Sequence, residues 1–248
     1  MSAWIVVGGT NLGESDRVIR FLSPTEGRVA LVARAARASR RRFAGLLELG
    51  NRLTVQRQRG RGSLQRLVSV DRVSTPSLAR TELERIALLA YGCELCAALA
   101  PEGGPAPRLH RLLGVWLDLL EGVTPPGVSS RLALEAKALT FAGLAPALVL
   151  CARTGAPLPP RAGFDPSAGG AVASGGWAVA ASELVALEGL RRTPLSETPM
   201  QRPPGASVHW VLADFIEYQL GRPLRSRPLL TDLAGGMSVA GIGRTQEA

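Results

Sequence analysis

Apolar and polar residues alternate with a period of two over much of residues 3–75, then switch to a period near 3.6 beyond residue 80. This order predicts strands first and helices after. Strands are expected at residues 3–8, 17–22, 28–34, 52–58 and 63–71. Ser23-Pro24-Thr25-Glu26-Gly27 reads as a turn, and Arg59-Gly60-Arg61-Gly62 as the tip of a hairpin. Five short strands in so short a segment suit a small closed barrel of the OB-fold kind, filled by its own side chains, so that a partner must bind outside.

Beyond Ser74-Thr75-Pro76 the pattern is helical. Thr81 and Glu84 have the spacing of a capping box, opening a helix that runs to about Leu99. Leu109, Leu112, Leu113, Trp116, Leu117 and Leu120 form one apolar stripe. A third helix is expected over residues 131–143, and a fourth from a Ser182 cap to about Leu190. Val208, Val211, Leu212, Phe215, Ile216 and Leu220 mark the last helix, closed by Gly221. Residues 152–178, rich in Gly, Pro and Ala, read as irregular, and residues 234–248 as a flexible tail. Segregated strands and helices argue for an α+β fold and against a parallel α/β sheet. The expected layout is an OB-fold domain over residues 1–75 and a helical domain over residues 76–233.

Charge changes the picture most. The 248-residue chain carries a formal net charge of +9. Residues 1–75 hold 14 Arg against five acids (Glu14, Asp16, Glu26, Glu48, Asp71), a surplus equal to the whole net charge. Between Arg28 and Arg66 stand eleven Arg and only Glu48. A solvated face normally intersperses acids, so this run points to a polyanion, bound through its phosphates. The expected nucleic-acid contacts are Arg28, Arg34, Arg37, Arg40, Arg41, Arg42, Arg57, Arg59, Arg61 and Arg66. Arg222, Arg225 and Arg227 form a possible second patch. Lys137 is the one lysine, but Arg bias also extends through the neutral part of the chain, so the location of charge carries more weight than its type. Aromatics near the run are few, which favours phosphate contact over deep stacking.

No catalytic signature appears. Cys93 and Cys96 have half the spacing of a metal site but lie on an apolar helix face with Ile86, Leu89 and Ala90, so they read as core. His110 and His209 stand apart from any second ligand and read as boundary residues. No metal site, cofactor or catalytic residue is expected. Three cysteines suit a reducing compartment, and no signal peptide or apolar stretch of about 18 residues is seen. A cytoplasmic, nucleoid-associated protein without a membrane partner is the expectation.

Gly13-Glu14-Ser15-Asp16-Arg17-Val18 with Phe21-Leu22-Ser23 resembles the first motif of the bacterial RecO family of recombination mediators. Glu26-Gly27-Arg28-Val29, Val32-Ala33-Arg34-Ala35-Ala36-Arg37, Arg42-Phe43-Ala44-Gly45 and Leu47-Glu48 continue the resemblance in the family's order. Leu220-Gly221-Arg222-Pro223-Leu224-Arg225-Ser226-Arg227 resembles its C-terminal signature. The resemblance implies an OB-fold, a helical domain and a zinc-finger-like insert. Four cysteines would stand at 151, 154, 173 and 176, where only Cys151 remains, so the insert is expected to be degenerate and to bind no zinc. It also implies binding of single- and double-stranded DNA and annealing of complementary strands. The implied protein partners are RecR, the acidic tail of single-strand DNA-binding protein and, indirectly, RecA. Arg131 is a candidate for that tail. The competing reading is a generic OB-fold nucleic-acid chaperone without recombination partners. A nucleic-acid-cleaving enzyme would need clustered carboxylates, and the close pair Glu82/Glu84 is explained by its place at a helix start.

Overall fold

The computed structural model describes residues 3–39, 42–58 and 65–232. Five strands, β1 (Trp4–Leu12), β2 (Asp16–Ser23), β3 (Gly27–Ala33), β4 (Arg52–Gln58) and β5 (Gln65–Ser74), close into a barrel of order β1-β2-β3-β5-β4. All pairs are antiparallel except β3 with β5, which closes the barrel in parallel. Alternation sends Val6, Ile19, Phe21, Leu31, Ala33, Leu53, Leu67 and Val70 inward. Phe43 and Leu47, from the connection between β3 and β4, join this interior. The fold is therefore α+β, with an OB-like barrel preceding the helices.

Ile5, Val7 and Leu22 face outward yet are buried, because the helical domain packs on them. That domain is built on α1 (Leu83–Leu99), α2 (Pro107–Leu120) and α3 (Val128–Phe141). The six-residue stripe expected on α2 is the set of residues it buries. Trp116 is fully buried and donates from its indole nitrogen to the Leu88 carbonyl, 3.0 Å away. It can do so because α1 offers Gly92 at the contact. A Cβ there would lie 2.3 Å from the indole nitrogen. Gly92→Ala should therefore destabilise by about 2 kcal/mol, despite the better helix propensity of Ala. Thermal unfolding should show Tm lower by about 5 °C.

The capping box expected at Thr81 is not formed. A short 3-10 turn (Leu78–Arg80) precedes α1, and the Thr81 hydroxyl donates back to the Leu78 carbonyl. The free amides of Ser77 and Ala79 are instead met by the Glu121 carboxylate from the end of α2. Arg85, almost fully buried, caps the same end of α2 by donating to the carbonyls of Leu120, Gly122 and Val123 at 2.7–2.8 Å. Cys93 and Cys96 are buried as expected, and burial pushes the Cys93 thiol up to about 12 and the Cys96 thiol further up. Ile86, in contrast, lies off that face, 40% exposed.

Residues 152–178 are not irregular. β6 (Arg161–Asp165), β7 (Gly170–Val172) and β8 (Trp177–Ala180) form an antiparallel sheet of order β7-β6-β8. The glycines that read as loop are the condition for its tight packing: a Cβ on Gly163 would meet the Gly175 carbonyl at 1.7 Å, and one on Gly170 the Ala147 carbonyl at 2.3 Å. Phe164 carries this sheet onto the helical core through an edge contact with Phe215. The zinc-finger-like character is not supported, since no cluster of three or more His, Cys, Asp or Glu is placed to hold a metal among the described residues. The polar groups of Thr154, then the Ala173 and Arg153 backbones, instead lower the Cys151 thiol from its ordinary 9 to about 7. α4 (Ala181–Arg192) follows, with Ala180, not Ser182, at its N-cap. α5 (Val211–Leu220) ends on Gly221 in the left-handed conformation, as expected. Residues 234–248 lie outside the described residues.

Candidate nucleic-acid interface

The strand register fixes which side chains share the outer face of the barrel. β1 pairs with β2 so that Gly8 faces Arg20, Thr10 faces Val18 and Leu12 faces Asp16. β2 pairs with β3 so that Arg20 faces Ala30 and Val18 faces Val32, and Val32 in turn faces Arg66 on β5. Because Ile19, Phe21, Leu31 and Ala33 point inward, these partners point outward. The face thus carries Arg20 and Arg66 around a floor of Gly8, Ala30, Val18 and Val32. Arg34 closes its far end. Both Arg20 and Arg66 are exposed, with no ion-pair partner among the described residues.

The basic loop after β3 is held by the turn between β1 and β2. Asp16 accepts the Ala35 amide at 2.8 Å and the Arg34 guanidinium at 2.7 Å. Ala35 has φ of 52°, a left-handed conformation unfavourable for a residue with a Cβ, and its bond to Asp16 holds it there. Arg37 donates to the Glu14 carbonyl at 2.8 Å, and its own amide bonds the Ser15 carbonyl. Arg42 donates to the Arg34 carbonyl and lies over the Phe43 ring, 4.3 Å from its centre. Arg34, Arg37 and Arg42 are therefore one exposed cluster with its backbone pinned. The Ala35 amide, then the Arg34 guanidinium and Ser15 hydroxyl, hold the Asp16 carboxyl below its ordinary 3.8. This anchor should be intact above pH 3.8 and lost as pH falls through the lowered folded value. At neutral pH, Asp16→Ala should speed amide exchange at Ala35 and through the following loop, read by hydrogen–deuterium exchange, while amides of α1 keep their protection.

Other expected contacts are placed elsewhere. Arg28 pairs with Glu102 at 2.6 Å and ties the barrel to the helical domain. Arg57 pairs with Glu26 at 2.6 Å and covers Trp4, 5.0 Å from the centre of its ring system. Arg40, Arg41, Arg59 and Arg61 lie outside the described residues. The possible second patch is divided: Arg225 is exposed, whereas Arg222 and Arg227 lie beside carboxylates. Arg227 is spent on Asp214 and Glu217, and Arg222 lies 3.7 Å from Glu94. Glu94 also accepts the amides of Arg225 and Ser226, so this signature clamps the C-terminal segment onto α1. Arg131 is buried against Glu135 and Trp210 and is unavailable to a partner. Arg20 and Arg72 were not among the expected contacts, yet both are exposed. The alternation around Ile19 and Phe21 is the sequence signal that places Arg20 outside.

A second cationic feature lies on the helical domain. A groove of about 340 Å³ runs between α2 and α3, lined by Leu112, Val115, Phe141 and Leu195 and rimmed by Arg108, Arg111 and Lys137. Lys137 donates to the Arg191 carbonyl at 2.6 Å, and burial lowers its ammonium pKa. Arg108 and Arg111 are exposed, without ion-pair partners among the described residues.

Fold and surface together define a class: an OB-like barrel protein with an open cationic sheet face, backed by a helical domain with its own cationic groove. Comparison with known proteins narrows it. The family model for the N terminal part of recombination protein O matches residues 3–76, and that for its C terminal part matches residues 80–228. The DNA repair protein RecO of Anaeromyxobacter sp. (strain K) is 37% identical over 243 residues, 92% of this chain and 94% of the relative. That of Myxococcus xanthus is 38% identical over 228 residues, 90% and 93% of the two chains. The chain belongs to the RecO family, and with it to the proteins of DNA repair and recombination. No helix among the described residues is long and apolar enough to cross a membrane.

Proposed function

We propose that this protein is a recombination mediator that holds single- and double-stranded DNA on the outer face of its barrel and anneals complementary strands. With RecR, it helps RecA load onto strands coated with single-strand DNA-binding protein. The observation that carries the reading is the face bearing Arg20 and Arg66 beside the pinned Arg37 and Arg42, on a chain of this family. Annealing requires two polyanions to approach, and a dense guanidinium surface screens their repulsion. Nothing in this role requires a covalent step. The work is expected in the cytoplasm, at the nucleoid.

The groove between α2 and α3 suits the tail of single-strand DNA-binding protein, which the family resemblance implies to be acidic with an apolar end. Its cations meet the acids, and Leu112, Val115 and Phe141 take the apolar end. Arg111→Glu should weaken a labelled tail peptide by about tenfold at low salt, read by fluorescence anisotropy, and leave naked DNA binding unchanged. The whole reading is tested by annealing complementary oligonucleotides with and without single-strand DNA-binding protein. Acceleration of both is expected. Acceleration of naked strands alone would favour the generic nucleic-acid chaperone.

A further inference from the structure

The barrel face pairs its cations with exposed apolar side chains that phosphate binding does not use. Leu12, the last residue of β1, is 44% exposed. Its register partner is Asp16, so it stands in the same outer row as the Asp16–Arg34 pair. Behind it come the half-buried Val18 and Val32, with Arg66 on their row and Arg20 on the next. The turn that carries Leu12 is fixed from below: Arg37 donates to the Gly13 and Glu14 carbonyls, and Asp16 is held by Arg34 and Ala35.

Bases of an unpaired strand present apolar faces that need a partner. Aromatic rings usually supply it. On the described part of this barrel they are engaged elsewhere. Phe21 is fully buried, Phe43 lies beneath Arg42, and Trp4 lies beneath Arg57, which Glu26 holds in place. Of the exposed aliphatics on the described barrel, Leu12, Val68 and Val73, Leu12 is the one at a hairpin tip, where it can cover the apolar face of a base that has left its stack. The Glu14 carboxylate on the same turn reinforces this division: it repels phosphate at the tip, so that phosphates settle on Arg20 and Arg66 and the tip is left to bases.

We propose that Leu12 is a base-contacting wedge that favours unpaired strands over duplex, with Val18 and Val32 as the apolar floor behind it. This rests on the DNA-binding reading above. The contact forms only where a base can leave its stack. Leu12 therefore adds affinity for single strands and little for duplex, whereas the guanidiniums serve both.

The test compares the full chain with Leu12→Ser and Leu12→Phe, using a single-stranded oligonucleotide with a central 2-aminopurine and a duplex of the same length. Wild-type binding should raise the 2-aminopurine fluorescence as the base unstacks. Leu12→Ser should bind the single strand about tenfold more weakly, with the fluorescence rise lost, the salt slope unchanged and duplex affinity within about twofold. Leu12→Phe should restore single-strand affinity. Because Leu12 is exposed, both variants should keep the wild-type Tm. A Leu12→Ser protein that binds the single strand as wild type does, or loses single strand and duplex equally, overturns the wedge. Absence of DNA binding by the wild type at low salt would overturn the DNA-binding reading itself.

Discussion

Reversing charge at Arg20, Arg37 and Arg66 is expected to weaken single-strand binding roughly a hundredfold or more at near-physiological salt. It should also lower the slope of log affinity against log salt by about two. Each of these guanidiniums is exposed. None is paired to a carboxylate among the described residues, so its counterions are released when phosphate binds. The control is Arg28→Gln, which removes a cation already neutralised by Glu102 at 2.6 Å and should leave the salt slope near its wild-type value. Anisotropy titrations at several salt concentrations separate the two. An unmoved slope in the triple variant would remove the outer sheet face from the DNA contact. Total basic charge alone would predict equal effects per arginine, whereas the structure ranks them by whether a carboxylate already holds them.

The largest effect on stability is expected at the buried ion pair of the helical domain. Arg131 and Glu135 are 5% and 0% exposed and lie 2.7 Å apart, one turn apart on α3. The same carboxylate oxygen accepts the Tyr91 hydroxyl at 2.7 Å, and the other oxygen of Glu135 has no partner among the described residues. Burial, and then the Glu135 charge, push the Tyr91 hydroxyl well above 10. Arg131 also donates to the His209 carbonyl at 2.6 Å and lies over Trp210, which Arg227 approaches from α5's C-terminal side of the chain. Arg131→Met leaves a buried carboxylate without its counter-charge and should cost about 4 kcal/mol, or about 10 °C in Tm. Adding Glu135→Leu should recover at least half, since the penalty lies in the orphaned charge and not in the lost attraction. Denaturant unfolding of the two single variants and the double variant measures the coupling. A double variant no more stable than Arg131→Met would show that the His209 and Trp210 contacts carry the cost instead.

The legible parts of this protein were those governed by local period. The strand runs, the six buried residues of α2 and the Gly221 stop needed only alternation, helical spacing and one left-handed position. The small sheet from β6 to β8 was missed because its glycines answer to backbone approaches from Ala147 and Gly175, which no local pattern announces. The caps at Thr81 and Ser182 were misplaced for a related reason. A carboxylate 42 residues away, on Glu121, holds the Ala79 amide and with it the short turn before α1, so that the helix opens after Glu82 and not at Thr81.

The sequence by itself determined that this is a barrel followed by helices, that the barrel holds the whole surplus of positive charge, and which family's motifs it carries. Periodicity and net charge are properties of the chain, and they survive any arrangement of its elements. The tertiary structure decided which cations are free. Arg28, Arg57 and Arg227 meet carboxylates 74, 31 and 13 or 10 residues away, and those meetings exist only once the elements pack. Arg20, inconspicuous between two core residues of its strand, becomes part of the open face because register sets it on one surface with Val18, Val32 and Arg66. A charge binds phosphate only when no closer carboxylate has claimed it, and that competition is settled by distance in space.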